Sequence, residues 1–176
     1  MTKLVLSALL VVLALGAVAG TSAAQAAPAQ PIRCTGVNGV WDDTDIVHLT
    51  KEGAGTLTIG WKAHAEMMLT CTTGGSTTTQ LVQIEERMQV HVMANGATQG
   101  QGHVRVSVGN RHRVFTGRYT GTTTVNGGVL SLSGDFNNDG RVEGQDFLRM
   151  KQHGTIDRDT RQFTSFYIDD IIIGLK

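Results

Sequence analysis

Between Leu57 and Cys71 the apolar side chains fall on odd positions: Leu57, Ile59, Trp61, Ala63, Ala65, Met67, Leu69 and Cys71. The even positions are mostly polar, with Thr58, Lys62, His64, Glu66 and Thr70. Alternation with a period of two predicts a strand with one buried face and one wet face. A second run alternates on even positions through Val82, Ile84, Met88, Val90 and Val92. Glu86 interrupts that face, which predicts an edge or a bulge at this point. Shorter strands are predicted at His103–Val108, Val114–Tyr119, Val129–Ser133 and Phe163–Ile168, the last running on into Ile171–Ile173. Gly74-Gly75, Asn95-Gly96, Gly109-Asn110 and Asn126-Gly127-Gly128 supply the turns between them.

About seven or eight short strands joined by tight turns predict an all-β, antiparallel sandwich or barrel. Twenty-two glycines and only two prolines suit that class. No helical periodicity and no solenoid repeat runs through it. The exception is the first 26 residues. Lys3 precedes an uncharged apolar run, Leu4 to Val18, and small residues follow, with Ala24-Gln25-Ala26 at the end. That is the layout of a cleavable secretory signal, with cleavage after Ala26 or after Ala24. The apolar run is short for a permanent anchor, and no cysteine stands where a lipid-anchored protein needs one. The expectation is a signal over 1–26 and one β-rich domain over 27–176, secreted or periplasmic, with no stable membrane insertion after cleavage.

Charge narrows the partners. The chain carries 15 basic and 15 acidic residues. Lys3 is the only charge in the signal, so the remainder holds 14 basic against 15 acidic residues. A balanced domain with scattered charges has no electrostatic footprint for nucleic acid. Aromatic residues make up 5% of the chain, too few for the two girdles of an outer-membrane barrel. The two cysteines, Cys34 and Cys71, pair most simply as a disulfide in an oxidising compartment, tying the N-terminal segment to an early strand.

One stretch carries specific chemistry. From Asp135, oxygen-bearing side chains stand at loop positions one, three, five and twelve: Asp135, Asn137, Asp139 and Asp146. Gly140 stands at six, where the chain must turn, and the carbonyl of Arg141 would be the seventh-position ligand. Val142 stands at eight, and Glu143 or a water would fill position nine. Calcium is a hard cation that takes six to eight oxygens, and this spacing lets one short loop supply them. The stretch Gly134–Phe147 resembles the EF-hand loop of bacterial dockerin calcium repeats, which show Gly-Asp-x-Asn-x-Asp-Gly, an aliphatic residue, and Asp at position twelve. The resemblance implies Ca2+ held by Asp135, Asn137, Asp139, Arg141 and Asp146. It covers about one-tenth of the chain in a single copy, whereas dockerins carry two, so it implies calcium binding and not docking to a scaffold. Phe147–Lys151 would then form a short helix ahead of Gly154.

The competing reading of 137–140 is a hairpin turn, since Asn138-Asp139-Gly140 is itself a strong turn signal. Catalytic signals are thin: the six histidines are scattered, and no nucleophile elbow or phosphate loop occurs. The expected function is a non-enzymatic, calcium-binding β-module with a protein or polysaccharide partner outside the cell. Two alternatives stand beside it. One is a small carbohydrate-active hydrolase using Asp42, Asp43 or Asp45 near Trp41, where Trp41 and Trp61 could form a sugar platform, although Trp61 lies on the apolar face and reads as core. The other is a barrel with a ligand in its lumen.

Overall fold

The computed structural model describes residues 30–138 and 146–176. The signal segment and the loop positions Asp139 and Arg141 lie outside the described residues.

Nine strands follow one another: β1 (Ile32–Val40), β2 (Asp43–Lys51), β3 (Leu57–Thr73), β4 (Ser76–Val92), β5 (Ala97–Val108), β6 (Arg111–Asn126), β7 (Val129–Asn137), β8 (Phe147–Asp157) and β9 (Gln162–Leu175). Every pairing is antiparallel, and neighbours in sequence are neighbours in the sheet from β2 to β9. β1 then pairs with both β9 and β3, so the sheet closes in a ring. The expected all-β antiparallel class is what the chain adopts.

β1 and β2 are successive stretches running the same way along β3. Ile32–Thr35 pair with Thr70–Thr73, and Asp43 resumes the pairing opposite His64. Between them, Gly36–Val40 pair only with β9, and the last backbone bond to that strand runs from Trp41 N to Phe166 O at 3.2 Å. Beyond Trp41 the chain leaves β9, and β2 is hydrogen-bonded to β3 alone. The ring is therefore laced tightly at one end and parts between β2 and β9 at the other.

Alternation decides what fills it. The odd positions of β3 and the even positions of β4, β5, β7 and β8 point inward. Trp61, Tyr119, Phe136, Ile84, Leu130, Met150 and Ile168 are among the largest enclosed side chains. Where the ring parts, Trp41 stacks on Phe166 at 5.4 Å and Phe163 stacks on Phe166 at 4.4 Å. Trp61 sets its edge against both phenylalanines. Stacked and edge-to-face rings add roughly 0.5–1.5 kcal/mol per pair beyond the area they bury. The aromatic cluster thus seals the side of the ring that backbone bonds leave open.

Cys34 and Cys71 are register partners on β1 and β3 and are joined by a disulfide, as expected. Two local expectations are corrected. Glu86 marks neither an edge nor a bulge: β4 is paired without a break on both sides of it, and its side chain points into the interior. Phe147–Lys151 is not a helix but the start of β8, which runs on through Gly154. A side chain at Gly154 would collide with the Phe166 ring and the Ser165 carbonyl, so the strand needs glycine there.

Candidate functional site

Register builds a charged surface that local sequence does not reveal. Asp43 of β2 lies opposite His64 of β3, His64 opposite Glu85 of β4, Glu85 opposite Arg105 of β5, and Arg105 opposite Val114 of β6. One rung away, Asp45, Lys62, Arg87, His103 and Thr116 form a second row across the same five strands. Alternation places both rows on the outer face. All of these but Thr116 line a hollow of about 400 Å³, with Ala63 and Glu86 beneath it.

The hollow's outer charges balance, with Asp43, Asp45 and Glu85 against Lys62, Arg87 and Arg105. Arg105 Nη1 meets Glu85 Oε2 at 3.2 Å, an exposed pair that contributes little to stability and stays free to exchange partners. Along the same face, Gln83 donates to Glu66 at 2.7 Å, and Asp42 accepts from the Glu66 backbone N–H at 2.8 Å. Asp42 is thereby engaged in holding the β1–β2 junction against β3. Asp43 and Asp45 are the two of the three clustered acids that reach the hollow. Their place in this surface was not readable from their own neighbourhood, because the other lining residues lie on strands up to about seventy residues away.

The sugar platform is absent from this surface. Trp41 and Trp61 are both enclosed in the aromatic cluster, and no aromatic side chain lines the hollow. Nor is the interior left free for a lumen ligand at the positions where Trp61, Tyr119 and Phe136 fill it.

Of the expected calcium ligands, Asp135, Asn137 and Asp146 are among the described residues, on and beside the β7–β8 hairpin. Asp135 is an outward residue of β7, between Thr120 and Lys151 in register. Asn137 stands between Arg118 and Arg149. One further rung closes the hairpin, where Asn138 N donates to the Leu148 carbonyl at 3.2 Å and the Asn138 side chain accepts from Leu148 N. Asp146 lies beyond that rung, and its two carboxylate oxygens accept from Arg113 Nε at 2.5 Å and from Lys176 N at 2.7 Å. Asp135 thus sits about 10 Å down the strand from the last rung, at roughly 3.4 Å per residue. Among the described residues, no group of three or more His, Cys, Asp or Glu side chains is set to hold a metal ion.

Gly134, the first residue of the dockerin-like stretch, has a packing role of its own. The ring and hydroxyl of Tyr119 lie over it, where a side chain would stand.

Two further polar arrangements were also invisible in the sequence. On the surface, His153 Nδ1 and Asp169 Oδ1 are 2.6 Å apart, and the His153 ring packs on Tyr167. Asp169 reaches the histidine because β9 is bulged there, with Ile168 opposite Gln152 and Asp170 opposite Lys151. In the interior, Glu86 and Gln152 meet across the ring.

No helix among the described residues is long and apolar enough to cross a membrane. Comparison with family models, with curated proteins and with solved structures finds no match for this chain.

Proposed function

We propose that the chain is an exported binding module, not a catalyst, and that its partner seats in the charged hollow across β2 to β6. The observation that carries this reading is the band of interleaved acids and bases across β2 to β5 that lines that hollow, with Val114 of β6 at its edge. Five strands at roughly 4.8 Å spacing give a track about 19 Å wide, which suits a polymer or a protein segment better than a small metabolite. Balanced charge gives little long-range attraction for a polyanion, so recognition is short-range and directional. The partner is a hydrophilic polysaccharide or protein segment bearing both carboxylate and cationic or hydrogen-bonding groups.

The test is an NMR titration of the mature domain with uronate oligomers, amino-sugar oligomers and mixed-charge peptides. Shift changes gathered on β2–β6, and lost in a Lys62→Ala/Arg87→Ala variant, are the expected result. Binding that leaves those strands unmoved, or that the double variant does not weaken, would overturn the reading.

Calcium in the β7–β8 loop is a second reading, favoured by the Asn138–Leu148 rung that brings the ends of the loop together. On this reading the ion is structural, offsetting the repulsion among the loop's carboxylates. Asp146 would be its nearest described ligand.

A further inference from the structure

Gln152 of β8 donates from Nε2 to Oε1 of Glu86 on β4 at 3.0 Å, and both side chains are enclosed. The other two oxygens of this pair, Glu86 Oε2 and Gln152 Oε1, have no hydrogen-bond partner, and the indole N–H of Trp61, which lies near Glu86, makes no hydrogen bond either. An ionised carboxylate only accepts, and so does an amide oxygen, so neither can satisfy the other. Leaving both bare in the interior is unfavourable, and more so for a charged group than for a neutral one. A neutral carboxyl group changes the count. Its hydroxyl at Oε2 becomes a donor, and the amide oxygen of Gln152 is the acceptor it lacks.

We propose that Glu86 is held as the neutral acid and forms a reciprocal acid–amide pair with Gln152, a proton-operated clasp joining β4 to β8 across the ring. The surroundings favour the neutral form. Burial is the largest influence on Glu86 and raises its pKa to about 7, with smaller opposing pulls from Gln152 and from the Trp61 indole. Its register neighbours Ala63 and Val104 are apolar. Tyr119 on β6 is the other titratable group nearby, and its hydroxyl is pushed up first by burial and then by the charges of Glu86 and Asp135. Glu85 and Arg87 on β4, Lys62 and His64 on β3, and His103 and Arg105 on β5 belong to the opposite, outer face. On β8, Lys151 and His153 flank Gln152 and also face outward. The strands beside Gln152 set Gly134 and Ile168 opposite it, neither of which carries charge. None of these neighbours offers the ionised carboxylate a cation from the interior side.

The sign follows from linkage. Glu86 binds its proton more tightly in the folded chain than in the unfolded one, so its stabilising share is full below its ordinary value. That share declines as pH rises through about 7 and is gone above it. The clasp closes in mildly acidic surroundings and opens in mildly alkaline ones. Since Glu86 also lies beneath the outer hollow, opening places a negative charge under that surface.

Two measurements on the mature protein test this without any ligand. Infrared difference spectra should show a protonated-carboxyl carbonyl band that titrates near 7 and is missing in Glu86→Gln. Thermal melts from about pH 5 to about pH 9 should fall in the wild type with a component absent from Glu86→Gln, whose amide is a permanent donor. Gln152→Leu removes the acceptor for the acid proton and the donor to Oε1. It should still show the band, with a displaced midpoint. Parallel melting curves for wild type and Glu86→Gln would overturn the proposal. So would the absence of a titrating carboxyl band in the wild type, which decides the matter even where Glu86→Gln does not fold.

Discussion

Asp146 is held by Arg113, whose Nε lies 2.5 Å from the carboxylate, so the residue at position twelve of the calcium-like loop already has a cation beside it. The hairpin below the loop is lined with more positive charge: Arg118 and Arg149 flank Asn137 in register, and Lys151 lies opposite Asp135. Arg113→Ala frees the carboxylate at a cost of less than about 1 kcal/mol, as usual for a half-exposed ion pair. The expected outcome is a larger calcium-induced rise in melting temperature for Arg113→Ala than for wild type, and no rise for Asp146→Ala. Asp135→Ala should leave the response intact, because that residue sits about three residues down the strand from the last rung. The opposite ranking of Asp135 and Asp146 would restore the full twelve-residue loop.

Cys34 and Cys71 close the ring where β1 has only four rungs to β3. Their sequence separation of 37 residues corresponds to about 3–4 kcal/mol of loop-closure entropy taken from the unfolded chain. Urea melts of a Cys34→Ser/Cys71→Ser variant should show a loss of that order. Reducing agent should destabilise wild type alone. A loss below about 1 kcal/mol would mean that β1 is held almost wholly by β9.

Gly134 lies beneath the Tyr119 ring, and a methyl group there would press on its phenol carbon and on the Thr120 carbonyl. Gly134→Ala should therefore cost about 1–3 kcal/mol, the usual range for an overpacked interior. It should also perturb the near-ultraviolet signal of Tyr119 and Trp61, whose rings are 5.8 Å apart. An unchanged denaturation midpoint would show that the glycine serves the loop and not the core.

Asp157 caps the β8–β9 turn. Backbone N–H groups of Thr160 and Asp159 donate to its Oδ1 at 2.9 and 2.8 Å and hold its pKa below the ordinary carboxylate value. A lowered folded pKa means the cap's contribution is present above the ordinary carboxylate range and is lost as pH falls through the folded value. Asp157→Ala should remove part of the acid-side loss of stability and quicken amide exchange at Asp159 and Thr160. Identical acid melts for variant and wild type would remove the cap from consideration.

The strands were legible wherever inward positions stayed apolar, as they do along β3, and wherever glycine pairs marked the turns. The same rule misled at Glu86 and at Gln152 with Gly154, where polar or missing side chains break the alternation. Each exception is explained by a residue far away in sequence: Gln152 donates to Glu86, and Gly154 makes room for Phe166. A scan along the chain meets these partners one at a time and reads each as a defect. The hollow was hidden for a related reason, since Asp43, Lys62, Glu85 and Arg105 become neighbours only through the register of four strands. Ring closure itself left no local mark, because it depends on β1 pairing with strands from opposite ends of the chain.

That closure imposes an order of assembly. Among these nine strands β1 is made before the others and β9 after them, and beyond Thr35 β1 pairs only with β9. The hairpins from β3 to β9 can zip one after another between near neighbours, but the final seam must wait for the C-terminus. Until that seam forms, β9 leaves one edge open along an apolar run, Ile171-Ile172-Ile173, to whatever strand edge it meets. The cross-link from Cys34 to Cys71 joins β1 to β3 once those residues have been made, long before β9 exists. A chain oxidised early would carry its closing strand already in position, and the last step would shrink from a search to a docking.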